Sequence, residues 1–156
     1  MSPRIRVAGI RDAAEIARLR RAWVEEQAGS PIEDEDYDAE FAAWFEREAH
    51  QRVTWLAEIG DCIIGMLNML VFTRMPKPRP VGVPQHPRQW GYIANVYVEQ
   101  ADRDAGVGKL LLDAALEYAD EHGYVRVVLS PSERSIPFYR RAGFVPASSL
   151  LIRPHP

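Results

Sequence analysis

Val98-Glu99-Gln100-Ala101-Asp102-Arg103-Asp104-Ala105-Gly106-Val107-Gly108-Lys109 joins two segments of different period. Before it, Tyr92 to Val98 has strand composition; after it, Val107, Leu110, Leu111, Ala114 and Tyr118 fall on one face of a helix that ends near His122-Gly123. A further apolar strand, Val125 to Leu129, follows. Strand, helix and strand in this order require a parallel crossover, which predicts an α/β fold with this unit at its centre. Gly106 and Gly108 stand where the helix begins. Glycine lets a ligand approach the backbone, and the unpaired N–H groups of a first helical turn, aided by the helix dipole, form an anion site suited to a pyrophosphate. Glycines at such a turn are also commonly plain turn residues, so the surrounding sequence has to decide between the two.

Towards the N-terminus, Ile5 and Val7 alternate with polar neighbours as a short strand, and Asp12 with Glu15 has capping-box spacing. Ile16, Leu19, Trp23 and Val24 then form the apolar stripe of a helix, with Arg18, Arg20 and Arg21 facing out. After the break at Gly29-Ser30-Pro31, Tyr37, Phe41, Trp44 and Phe45 predict a second helix through about His50. Val53 to Ile59 and Cys62 to Phe72 read as an antiparallel pair about a Gly60-Asp61 turn. Arg74 to Gln89, with Pro76, Pro78, Pro80, Pro84 and Pro87, reads as an extended loop. Ile136 to Ala142 predicts a helix with Pro137 in its first turn and Gly143 as its stop; Phe144-Val145 and Leu150 to Ile152 are expected to add closing strands.

Composition narrows the class. With 156 residues, 47% of them hydrophobic and 26% charged, the chain is expected to form one soluble domain over 1–156. At this size about 70% of the unfolded surface is buried, so neither disulfide nor structural metal is needed. A formal net charge of −3 argues against a nucleic-acid binder. The single cysteine, Cys62, allows no internal disulfide and no cysteine-based zinc site, and it reads as an inert buried thiol. Met1 to Arg6 lacks the apolar run of a secretory signal, and no stretch approaches the ~18 apolar residues of a membrane span. A cytoplasmic protein is expected, with no metal and no membrane partner.

The turn fits neither G-x-x-x-x-G-K-[ST] nor G-x-G-x-x-G, because Leu111 stands where the third glycine would be. Arg103-Asp104-Ala105-Gly106-Val107-Gly108 instead reads R-x-x-G-x-G. After the following strand comes Ser135-Ile136-Pro137-Phe138-Tyr139-Arg140-Arg141-Ala142-Gly143-Phe144, a small residue, a tyrosine four later, then glycine and phenylalanine. Together these motifs resemble those of the GNAT superfamily of N-acetyltransferases, single-domain bacterial type, with the N-terminal half matched in element order alone. The resemblance implies a GNAT-like acyl-CoA N-acyltransferase fold, a central mixed α/β sheet flanked by about four helices.

It also implies acetyl-CoA as co-substrate and an N-acetyltransferase reaction on a primary amine of a small molecule or protein, by direct attack in a ternary complex. The strand through Val96, Tyr97 and Val98 is expected to part from its neighbour at a bulge and to receive the pantetheine arm like an added strand at Val96 and Val98. The Val96 N–H would polarise the thioester carbonyl. Backbone N–H groups at Arg103, Asp104, Ala105, Gly106, Val107, Gly108 and Lys109 would hold the pyrophosphate, and Ser132 stands where relatives carry an asparagine that contacts the CoA arm. Tyr139 would protonate the leaving thiolate, phenol and thiol having ordinary pKa values near 10 and 8.5.

A base is also needed, because an amine is mostly protonated at neutral pH. Histone-modifying relatives carry a glutamate eleven residues before the R-x-x-G-x-G arginine, and Tyr92 holds that position here. Tyr92, Glu58 and a water chain are the candidates. Glu99 reads as a solvated loop residue and His86 as a surface one. Six of the eight residues from Glu33 to Glu40 are acidic; they are either a solvated loop or a wall that draws a cationic acceptor. The competing class is a catalytically silent acyl-CoA-binding module. A homodimer through the proline-rich loop and Leu150-Leu151-Ile152 is expected.

Overall fold

The computed structural model describes residues 1–84 and 88–156, so His86 and Pro87 lie outside the described residues. Five strands, β1 (Arg4–Val7), β2 (Arg52–Ile59), β3 (Cys62–Thr73), β4 (Gln89–Val98) and β5 (Val127–Leu129), form one sheet in the order β1-β2-β3-β4-β5. All neighbours are antiparallel except β4 and β5, which run parallel across the crossover. The helices are α1 (Ala13–Ala28), α2 (Tyr37–Glu48), α3 (Val107–Glu121) and α4 (Ile136–Arg141).

The period-two alternation of β2 and β3 feeds a core on each face of the sheet. Trp55, Leu67, Met69 and Ile93 meet Leu111, Leu112 and Ala115 of α3 on one side. Leu56, Met66 and Tyr97 meet Ile16 and Leu19 of α1 and Phe45 of α2 on the other. With both faces covered, β2 and β3 are near-continuous apolar runs. The buried stripe of α3 is the i, i+4 row Val107, Leu111, Ala115 and Ala119 with Leu112 beside it, while Leu110 is 40% exposed, contrary to expectation.

Three local expectations are corrected. Asp12 and Glu15 form no capping box: the Asp12 carboxylate accepts the Gly9 N–H at 2.7 Å and two Arg6 nitrogens at 2.9 and 2.8 Å, and Glu15 pairs with Arg18. Arg18 does not simply face water, since it donates to the Ile63 carbonyl at 2.7 Å and pairs with Glu99. Cys62, the first residue of β3, is exposed, because a strand that starts at the turn has no layer over its end.

The proline-rich loop joins β3 to β4. Arg74 N–H donates to the Arg88 carbonyl at 2.7 Å, and Gln89, Trp90 and Gly91 extend β4 to pair with Thr73, Phe72 and Val71. At the other terminus the expected closing strands do not form. Residues 144–156 are irregular, with Leu151 and Ile152 98% and 84% exposed. Pro146, Pro154 and Pro156 flank Leu150-Leu151-Ile152 and remove ladder donors there. The outer side of β5 is bordered instead by an apolar hollow among Ile136, Phe144, Val145 and Leu150.

Candidate active site

β4 pairs with β3 as Asn68↔Asn95 and then Met69↔Ile93, which leaves Ala94 as an extra residue, a bulge. On its other side β4 meets β5 only at Gly91↔Val127, Tyr92↔Val128 and Ile93↔Leu129. The Glu99 N–H donates to the Ile64 carbonyl at 2.9 Å. Hydrogen-bonded positions alternate along an antiparallel ladder, so Tyr97 turns its amide towards β3, while Val96 and Val98 turn theirs to the side where β5 has ended. β4 thus runs on past the end of β5, with backbone N–H and C=O groups along its unpaired edge.

This edge faces a cleft of about 610 Å³. Val96 and Val98 form its floor, Asp102 to Asp104 and Gly106 to Lys109 one end, Leu112 and Asp113 of α3 one wall, and Ser135, Phe138, Tyr139, Arg141 and Ala142 of and beside α4 the other. The turn at its end is shaped by two left-handed residues, Asp104 at φ 61° and Gly106 at φ 83°. The first intrahelical bond of α3 runs from Leu110 N–H to the Gly106 carbonyl at 3.1 Å, so the N–H groups of Val107, Gly108 and Lys109 have no carbonyl within the helix. A concave row of N–H groups at a helix N-terminus is an anion seat. Gly108 keeps it open: a Cβ there would stand 3.7 Å from Phe138 Cζ, against the facing wall.

Arg103 does not reach into this seat. Its Nε donates to the Val98 carbonyl at 2.9 Å and its two terminal nitrogens grip Glu26 of α1 at 2.6 and 2.7 Å. Arg103 thereby occupies one lone pair of the Val98 carbonyl, leaving the Val98 N–H and both Val96 groups on the open edge. The guanidinium holds the Glu26 carboxyl below the usual carboxylate range.

Tyr139 is half-buried, edge-on to Phe138 and Phe144 with centroids 5.0 and 5.7 Å away. Gly143, at φ 95°, turns the chain so that Phe144 N–H returns to the Tyr139 carbonyl at 3.1 Å, which is why glycine-phenylalanine follows this tyrosine. Burial pushes the Tyr139 phenol above its ordinary value, so it is a protonated donor at neutral pH.

Val96, Val98, Arg103, Asp104, Gly106, Val107, Gly108, Lys109 and Tyr139 are thus brought to one cleft. Ala105, Tyr92, Tyr97 and Ser132 are not among its lining residues. Tyr97 points to the α1 face, stacked at 6.0 Å on Trp23 with its hydroxyl donating to Glu26 at 3.2 Å. Tyr92, next to Ile93 in a regular part of β4, faces away from the α3 core by alternation. The Ser132 hydroxyl donates to Ser135 Oγ at 3.0 Å and so starts the turn into α4. Glu58 is unsuited to be a base: it is gripped by Arg4 and Arg6 beside β1, which hold its carboxyl below the usual range. Glu99 is paired with Arg18 rather than free in solvent. The acidic residues from Glu33 to Glu40 do not line the cleft either.

The sequence reading missed Glu26 and a buried polar row across the sheet. On the α2 face, Arg52 donates to Asn68 Oδ1 at 2.9 Å and Asn68 Nδ2 to Thr54 Oγ1 at 2.8 Å, beside a hollow of about 210 Å³ under Trp44 and Phe45. Polar residues in the middle of apolar strands were the available signal. Among the described residues no three His, Cys, Asp or Glu side chains gather as a metal site requires, and no helix is long and apolar enough to cross a membrane.

Comparison with known proteins agrees with this geometry. The model of the acetyltransferase (GNAT) family matches residues 16–144. A glucosamine 6-phosphate N-acetyltransferase of Trypanosoma brucei brucei is 40% identical over 57 residues, which span 36% of this chain and 39% of that relative. Among solved structures, a predicted acetyltransferase with acetyl-CoA from Clostridium acetobutylicum superposes with a TM-score of 0.73 at 24% identity, covering 97% of this chain and 96% of that one. A GCN5-related N-acetyltransferase from Ralstonia eutropha does so with a TM-score of 0.69 at 26% identity, covering 97% of each chain.

Proposed function

The chain belongs to the GNAT acetyltransferase family, and from that premise we propose that it moves the acetyl group of acetyl-CoA to a primary amine by direct attack in a ternary complex. The observation that carries this reading is the unpaired edge of β4 beyond Ile93↔Leu129, where β5 ends, beside an N–H-lined turn and opposite a protonated Tyr139. An extended amide-bearing arm fits the open edge at Val96 and Val98 as an added strand. The diphosphate fits the N–H groups at the head of α3.

In the reaction the amine nitrogen bonds to the thioester carbonyl carbon, and negative charge gathers on the carbonyl oxygen. The Val96 N–H is the donor for that oxygen. As the C–S bond breaks, Tyr139 gives its proton to the sulfur. The amine gives up its proton to water, directly or relayed through the Tyr92 hydroxyl on the opposite face of β4, which passes its own proton on. The part-length relative supplies the first acceptor class to test, amino sugars and their phosphates. A second reading, a silent acyl-CoA-binding module, draws support from the carboxylates of the cleft, since Asp102, Asp104 and Asp113 belong to the turn and α3 rather than to the strand at Val96.

Isothermal titration of acetyl-CoA, with dephospho-CoA and NAD as controls, tests the shared part of both readings on the wild type and on Gly106→Glu. Micromolar binding that is lost in the variant is expected; no binding by the wild type overturns both readings. Thiol release with a panel of amines separates them, since the silent module binds and never turns over.

A further inference from the structure

Glu26 sits in the last turn of α1, where Glu25 also stands and no basic residue does. The helix dipole disfavours carboxylates at a C-terminus, so Glu26 is placed against the interest of its own helix. What holds it is Arg103, at 2.6 and 2.7 Å in the bidentate geometry that fixes a guanidinium in orientation as well as distance. Tyr97 adds a hydrogen bond to the same carboxylate at 3.2 Å, and the Arg18 pairing with Glu99 ties α1 to the segment before the turn a second time.

The next residue after Arg103 is the unusual one. Asp104 is the one non-glycine residue of positive φ among the described residues, at 61°, a conformation uncommon for L side chains that aspartate tolerates better than most and that contacts on either side can help to hold. Arg103 leads into it in extended backbone, φ −72° and ψ 163°, with its side chain pinned to the Val98 carbonyl and to Glu26. Pinning both ends of Arg103 fixes the peptide from which Asp104 must turn. That turn leads into Gly106 and the unpaired first turn of α3 at Val107, Gly108 and Lys109, all of which line the cleft.

Building on the proposed function, we propose that Glu26 is a positioning residue of the cofactor turn: through Arg103 it holds Asp104 in the left-handed conformation that presents the anion seat. Glu26 acts on the diphosphate end of the donor and leaves the thioester end alone. It also makes the turn answerable to α1, the helix packed on the other face of β4.

The test uses the full chain with Glu26→Ala and the double variant Glu26→Ala/Asp104→Gly. Glu26→Ala is expected to weaken acetyl-CoA binding about tenfold, while turnover of S-acetylpantetheine, which lacks the diphosphate, stays at the wild-type rate. Asp104→Gly in the same chain is expected to restore acetyl-CoA binding to within about threefold, because glycine takes a positive φ without being held there. A crystal structure of ligand-free Glu26→Ala is expected to show Asp104 outside the left-handed region. Asp104 kept at positive φ in that structure overturns the inference whatever the protein binds. Equal loss with both donors, or failure of the glycine to rescue, also overturns it, since Glu26 would then serve the fold at large. Wild type that binds no acetyl-CoA would defeat the proposed function, and the crystal structure would still decide the role of Glu26.

Discussion

Ile93 is the last residue of β4 to face β5, its Cα partner there being Leu129; after the extra residue Ala94, Val96 has a strand on one side only. A β-sheet that loses a neighbour in mid-strand exposes N–H and C=O groups that water or a ligand must satisfy. The open edge is therefore a property of pairing register, and what that strand offers a ligand is backbone atoms.

Val96→Pro follows from this. Val96 faces Leu67 of β3 at a position that is not hydrogen-bonded, so proline removes an N–H that the fold does not use. Loss of a single oxyanion donor elsewhere costs ~10²–10³ in kcat, and a fall of about 100-fold is expected in thiol-release assays. Acetyl-CoA affinity should change much less. An unchanged kcat in a folded Val96→Pro protein would remove this N–H from the mechanism.

The two glycines of the turn should separate stability from binding. Gly106 has positive φ and open space where a Cβ would go, so Gly106→Ala carries a purely conformational cost of roughly 1–2 kcal/mol. Gly108 lies inside α3 with no unusual φ, and its Cβ would make ordinary contact with Phe138. Alanine there raises helix propensity by about 0.5–1 kcal/mol. Gly108→Ala is thus expected to unfold at higher urea than the wild type and yet to bind acetyl-CoA more weakly, because the added methyl narrows the cleft beside the N–H row. Tight binding with raised stability would show that the ligand keeps clear of Gly108.

Much of this was legible before any coordinates. The glycine turn, the helix after it and Tyr139 ahead of Gly143-Phe144 are local patterns, and each is found where its pattern places it. The order of strands and helices was equally legible as far as α4, because glycine and proline mark its breaks. Three kinds of feature were not. Glu26 meets Arg103 across 77 residues, and no local pattern announces such a pair. Leu110 and Leu112 both suit a helix core, and only the rotation of α3 on the sheet exposes the first and buries the second. Leu150-Leu151-Ile152 has strand composition and no strand, since pairing needs a neighbour as well as a propensity.

Acid should loosen the contacts of β1. Arg6 holds the Asp12 carboxyl below its ordinary value, chiefly by the side-chain hydrogen bond. A carboxyl depressed in the folded state contributes stability above its unfolded pKa, near 3.9, and that contribution is lost as pH falls through the folded value. Asp12→Asn is expected to be less stable than the wild type by about 1–2 kcal/mol at pH 7, with the difference closing as pH falls below the unfolded value and through the lower folded one. Urea unfolding of both proteins across that range checks it. A difference independent of pH would mean that the charge of Asp12 contributes nothing to stability.

Tyr139 yields the pH prediction for catalysis. Its phenol is raised above the ordinary value near 10 by burial among Phe138 and Phe144, so it stays protonated while a thiol of pKa near 8.5 departs. The rate limited by that proton should fall only on the alkaline side, above pH 10, where the phenol ionises. Tyr139→Phe keeps the ring contacts and removes the proton, so kcat is expected to drop by roughly 10²–10⁴ with little change in the KM for acetyl-CoA. The alkaline limb should vanish with it. Donors with a more acidic leaving thiol need less help, and an activated thioester should recover much of the lost rate in Tyr139→Phe. Equal losses for both donors would assign Tyr139 to packing beneath Phe144 instead of proton transfer.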